Sequence, residues 1–121
     1  MTTYAILLPG NESTWAAATP EQRAAMYAEH DRFARTLEEG GHHVVGGAEL
    51  APSREARVVR GGDGGPVISD GPYAEATEQL TGFYLVDSDD PDGLAQVCGI
   101  LAGHGGAVEI RATMPAVERV S

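Results

Sequence analysis

The sequence contains no lysine: all eight of its basic residues are arginines. That removes Schiff-base and pyridoxal-phosphate chemistry, which need a lysine amine, together with the lysine of a phosphate-binding P-loop. It has a single cysteine, Cys98, so neither an internal disulfide nor a multi-cysteine zinc site is available. No apolar run approaches the roughly 20 residues that span a bilayer, and the N-terminus shows no leader pattern. A cytosolic protein is therefore expected. Basic residues are also outnumbered by 18 acidic ones, for a formal charge of −10. Phosphate backbones are gripped by basic stripes that displace counterions, and none is visible. Nucleic acid and anionic membrane are not expected partners.

What is present reads as one compact domain over residues 1–121. Hydrophobic residues make up 42% and charged ones 21% of the 121 positions, the balance of an ordinary globular chain. A domain of this size buries roughly two-thirds of its unfolded surface, enough for one core. Glycines and prolines are scattered, without period or linker, which fits many turns rather than a low-complexity segment.

Tyr4 to Leu8 reads as a buried first strand ended by Pro9-Gly10-Asn11, followed by a loop carrying Trp15. Thr19-Pro20-Glu21-Gln22 is a helix start, with Thr19 at the N-cap, Pro20 in the first turn and Gln22 completing a capping box. Met26, His30, Phe33 and Leu37 draw one stripe down that helix, and Gly40-Gly41 stops it. His43 to Leu50 reads as a second strand, where Gly46-Gly47 points to a bulge. Ala56–Arg60 and Pro66–Ser69 form a hairpin around Gly61–Gly65, a tip rather than a phosphate loop. Asp70-Gly71-Pro72-Tyr73 is a further turn, followed by a polar segment with Glu75, Glu78 and Gln79.

Gly82 to Asp87 is the clearest strand. Asp89-Asp90-Pro91 caps a second helix whose inner face is Leu94, Val97, Cys98 and Leu101. Gly103 closes it, and Ala107 to Ala112 is the last strand. With the inserted hairpin set aside, the order is βαββαβ, a ferredoxin-like α+β fold with both helices on one sheet face. The other face then needs cover, and a second subunit is the expected source.

Asp70-Gly71-Pro72-Tyr73-Ala74-Glu75, Glu78-Gln79-Leu80 and Gly82-Phe83-Tyr84-Leu85 resemble the signature of the DGPF branch of the YCII-related family. Tyr73 stands where the branch commonly has phenylalanine. Trp15, the first helix into Gly41, Gly46-Gly47-Ala48-Glu49-Leu50 and Val108-Glu109-Ile110-Arg111 extend the likeness nearly end to end. The resemblance implies a dimeric α+β barrel. It also implies, through some relatives, chemistry on small ring compounds with a histidine–aspartate pair. Through the gene neighbours of the branch, it implies a regulatory context with extracytoplasmic-function sigma factors. By position the family histidine falls on His30. The family's Asp-Pro after the second helix has no counterpart in Ile100-Leu101-Ala102-Gly103-His104.

Each candidate has a plainer role beside its functional one. His30 is either a packed residue on the helix stripe or a general base near neutral pH, where a carboxylate would orient it. Asp70 is the candidate carboxylate, or else the side chain that closes its own turn. Trp15 as a lid, with Tyr73 and Phe33, would line a substrate pocket; each also fits a packing role. Glu75 and Glu78 read as a solvated face, and Cys98 as an inert core thiol. His42 and His43 point to opposite sides of a strand, so with His104 remote no metal site is expected. No cofactor is expected either. Two functions follow. One is a cofactor-free enzyme in which His30 moves a proton on a small cyclic organic molecule. The other is a non-catalytic ligand-binding or regulatory interaction domain associated with a sigma-factor system, using the same pocket or the acidic surface, with His30 as a structural residue.

Overall fold

A computed structural model describes residues 1–103 and 106–115, so His104 lies outside the described residues. The chain runs β1 (Thr2–Asn11), α1 (Glu12–Ala16), α2 (Pro20–Glu39), β2 (His43–Glu49), a single 3-10 turn (Ser53–Glu55) and β3 (Arg57–Gly62). It continues through β4 (Gly65–Asp70), β5 (Glu78–Ser88), α3 (Pro91–Ala102) and β6 (Glu109–Ala112).

Local chemistry sets the two long helices. The Thr19 hydroxyl accepts from the Gln22 amide at 3.1 Å, and the Gln22 side chain accepts from the Thr19 amide at 2.8 Å. This reciprocal capping box, with Pro20 behind it, satisfies two donors that the first turn leaves free. Gly40 ends α2, and Gly41 follows with φ of +81°, a left-handed conformation that suits glycine. At α3 the Asp90 carboxylate accepts from the Gly93 amide at 3.0 Å.

Four strands form an antiparallel sheet in the order β2-β5-β1-β6, which is the ferredoxin-like arrangement once β3 and β4 are set aside. β3 and β4 pair only with each other, turning at Asp63-Gly64. Side chains alternate across a strand, so Tyr4, Ile6 and Leu8 of β1 and Tyr84 and Val86 of β5 share one face. That face meets α2 and α3 around a core of Ile6, Phe33, Leu37, Val86, Leu94 and Cys98. Burial raises the Cys98 thiol to a pKa of about 11, so it stays protonated and unreactive at neutral pH. Ala5, Leu7, Phe83 and Leu85 fall on the opposite face, away from the α2 and α3 core, and no described helix packs on them.

Four expectations needed correction. Trp15 sits in a short helix, not a loop, because the Asn11 side chain caps it through the Thr14 amide at 3.2 Å. β5 begins at Glu78 rather than Gly82, since β1 extends to Asn11 and pairs Glu78, Gln79 and Leu80. Thr81 is skipped in that pairing, and its hydroxyl donates to the Leu8 carbonyl at 2.8 Å. Met26 is 45% exposed, so the buried stripe of α2 reduces to Phe33 and Leu37 with His30 at its margin. The last strand is shorter than expected, starting at Glu109.

Candidate functional site

α2 and β5 bring two aromatic heterocycle and phenol groups together. His30 Nδ1 and the Tyr84 hydroxyl are 2.7 Å apart, and the rings stack at 5.8 Å between centroids. Tyr84 is in phase with Val86 along β5 and so faces the helices. Phe33, one turn beyond His30, backs the phenol at 5.2 Å. Phe33 is fully buried, so its place is the core behind Tyr84 and not the wall of a pocket.

β2 adds a carboxylate through a parity change. Its pairing with β5 skips Val45: Val44 faces Val86, then Gly46 faces Leu85. That irregularity brings Glu49 to the helix side, opposite Gly82. The Tyr27 hydroxyl donates to the Glu49 carboxylate, at 3.2 and 3.3 Å to its two oxygens. Tyr27 lies one turn before His30 on the same helix face. Trp15 meets Tyr27 edge to face, at 5.7 Å and 87°. Arg23 lies 5.1 Å from the centre of the Trp15 ring and donates to the Trp15 and Ala16 carbonyls at 3.1 and 3.3 Å. Its buried Nε makes no hydrogen bond among the described residues. The far end of α1 is tied down as well. The Glu12 carboxylate accepts from the Ser53 amide at 2.6 Å and from the Ser53 hydroxyl. These bonds hold the Glu12 carboxyl below its ordinary range.

The electrostatics favour a neutral imidazole. Burial lowers the His30 pKa from its ordinary 6.5, opposed by the charges of Glu49 and Asp31. The folded state thus binds fewer protons than the unfolded one just below pH 6.5, so this contribution to stability is present above that value and fades as pH falls. Burial also raises the Tyr84 phenol, helped by Asp31, so it keeps its proton. Tyr27 is raised by desolvation and by the Glu49 charge, against Arg23.

Asp70 takes no part in this group. It ends β4 opposite Arg57, is exposed, and makes no hydrogen bond to His30, whose Nδ1 is engaged by Tyr84 instead. The carboxylates whose charge reaches His30 are those of Glu49 and Asp31. Tyr73 is 82% exposed and lies in a separate groove of about 360 Å³ with Leu50, Pro52, Pro72 and Leu80. A second groove, of about 540 Å³, runs between α2 and α3 beside Met26, Arg32 and Ile100. His30 lines neither. Of the other histidines, His42 is buried with Nδ1 2.7 Å from the Ser88 hydroxyl, while His43 is exposed beside Glu38. No cluster among the described residues has the make-up of a metal site. Nor is any described helix long and apolar enough to cross a membrane.

Tyr27, Glu49 and Tyr84 are the members of the group that the sequence reading missed. Tyr84 was legible as a strand residue in step with Gly82 and Val86. Glu49 was hidden by the bulge, because counting in twos from Val44 puts it on the wrong face.

Fold and site define a ferredoxin-like α+β domain in which His30 of α2 and Tyr84 of β5 form a histidine–tyrosine pair. The chain matches the YCII-related domain over residues 2–115 and belongs to that family. It is also similar to an uncharacterised protein of Rhizobium meliloti (strain 1021), with 34% identity over 84 residues. That stretch is 69% of this chain and 67% of the relative.

Proposed function

We propose that this domain is a proton-transfer enzyme acting on a small cyclic organic molecule, with His30 as general base and Tyr84 as its acid partner. The observation that carries this reading is the 2.7 Å contact between His30 Nδ1 and the Tyr84 hydroxyl. With the ring proton on Nδ1 and donated to the phenol oxygen, two groups are left free. One is the Nε2 lone pair, a base; the other is the phenol O–H, a donor.

The two suit the removal of a proton next to a carbonyl. Nε2 takes the proton as the C–H bond breaks. The electron pair moves onto the carbonyl oxygen, where the Tyr84 O–H steadies the developing charge. Returning the proton to another carbon gives isomerisation, and losing a neighbouring leaving group gives elimination. The step uses only groups of this chain.

Solvent exchange tests the reading without a known substrate. Cyclic ketones and lactones, with and without a ring amine, are incubated with the protein in deuterated water and followed by mass spectrometry. Exchange is expected with at least one ring, falling about 100-fold or more in His30→Gln, the scale of a positioned general base. Equal exchange by wild type and His30→Gln, or none above buffer, contradicts it.

We also propose a homodimer built on the uncovered sheet face. Leu7, Phe83 and Leu85 form an apolar strip there, the kind of surface that oligomers bury. Light scattering on a size-exclusion column is expected to give twice the chain's 12.6 kDa, and Phe83→Glu to give the monomer mass. A wild-type monomer at high micromolar concentration contradicts the dimer.

A further inference from the structure

We propose that the β3–β4 hairpin is an arm that grips a second copy of this chain through the face carrying Val59 and Ile68. The proposal rests on the homodimer reading above and adds to it a second contact, outside the sheet. Among the described residues β3 and β4 pair only with each other. A two-stranded hairpin alone is marginally stable in water and gains stability by packing a face. Its two faces differ here. Residues directly opposite each other share a face, so Val58, Ser69, Arg60 and Val67 lie on one and Val59 and Ile68 on the other. The first face turns inward: Val58 is half-buried, and the Arg60 guanidinium lies 5.8 Å from the centre of the Tyr73 ring. On the outer face Val59 and Ile68 are each 63% exposed, an apolar pair adjacent across the ladder.

Charge and extent both favour a second copy as the occupant. Segment 54–70 carries Arg54, Arg57 and Arg60 against Glu55, Asp63 and Asp70, so the whole formal charge of −10 lies elsewhere in the chain. Two-fold contact between identical copies sets the same patch against itself, and a charged patch repels its own image. The hairpin is the stretch that two such acidic chains can bring together without that repulsion. The sheet face also leaves room for it. A stable interface takes in about 20–30 residues a side, whereas one face of the four strands holds about half of their residues, roughly 16. Contact beyond the sheet is therefore needed, and Val59 and Ile68 supply apolar surface for it.

Sedimentation equilibrium at micromolar concentrations measures dimerisation of the full chain in wild type, in the double variant Val59→Thr with Ile68→Thr, and in Val67→Thr. Threonine keeps the β-branched shape that strands favour, so the hairpin persists while its outer face turns polar. The double variant is expected to raise the dimer dissociation constant about tenfold or more, because each copy loses two apolar contacts. Val67 is 57% exposed on the inner face, so Val67→Thr is expected to leave the constant unchanged. Hydrogen exchange is the second measurement. Amides of β3 and β4 are expected to exchange more slowly at high protein concentration than at low, with the difference reduced in the double variant. A dissociation constant unchanged in the double variant overturns the arm. So does an equal effect of Val67→Thr, or hairpin exchange that ignores concentration. The arm and the sheet-face dimer fail separately. Dissociation by Phe83→Glu with no effect of the double variant removes the arm alone, and the reverse pattern removes the sheet face alone.

Discussion

Phe33→Ala is expected to lower the unfolding free energy by roughly 3–5 kcal/mol, the range for deleting a fully buried aromatic ring. Phe33 is completely buried in the cluster of Ile6, Leu37, Val86, Leu94 and Cys98, against which half-buried residues such as Tyr84, Val97 and Leu101 pack. Surroundings packed on all sides relax only partly into the space a deleted ring leaves, so both the lost transfer energy and the cavity count. Domains of this size are stable by only about 5–15 kcal/mol, which makes the loss a large fraction of the total. Urea unfolding at neutral pH checks it through the shift in midpoint. A change below about 1 kcal/mol would mean that Phe33 is not the centre of the core. The ring also backs Tyr84 at 5.2 Å, so the variant should loosen the His30 contact even where it remains folded.

Gly47→Ala is the second large effect, and its cause is backbone rather than core. Gly47 has φ of +146°, which a side chain rarely adopts. A Cβ there would stand 2.5 Å from the Phe83 carbonyl oxygen and 3.1 Å from the Tyr84 Cα. Neither neighbour is a flexible side-chain end that swings away, because both belong to the backbone of the central strand β5. Overpacking and forced backbone conformation each cost roughly 1–3 kcal/mol, and here they act together. The neighbouring Gly46→Ala is the control. Its Cβ would meet only the Leu85 side chain, at 3.4 Å, which is ordinary contact. Thermal unfolding of the pair should show a melting temperature far lower for Gly47→Ala. Similar melting temperatures would contradict the close approach of β2 to β5 at this point.

The same stretch of β2 shows why the fold was easier to read from the sequence than the site. Helix starts and stops are local: Thr19, Pro20, Gln22 and Gly40 act on their own turn, so a few adjacent letters specify them. The strands of the βαββαβ order were legible because Tyr4–Leu8 and Gly82–Asp87 are apolar runs bounded by turn residues. The short helix at Trp15 was not, since one turn capped by Asn11 leaves no periodicity to detect. The site depends on which side chains share a face across three elements. One skipped residue at Val45 reverses that parity for Glu49, and one at Thr81 shifts the start of β5. His30 was visible from its stripe on α2, but its partner was sought in the Asp70 turn. The pairing geometry supplies Tyr84 instead, a residue whose sequence neighbourhood is that of an ordinary buried strand.

The central claim is that His30 is a neutral base with its proton held on Nδ1 by Tyr84. A pH titration of the His30 ring by nitrogen-15 NMR tests this most directly, in wild type and Tyr84→Phe. The account expects a midpoint below the ordinary 6.5, a proton on Nδ1 and a free Nε2 at neutral pH, with the tautomer preference lost in Tyr84→Phe. A midpoint above 6.5, or a proton fixed on Nε2 with Nδ1 accepting from Tyr84, would contradict it, because no base would then face a substrate.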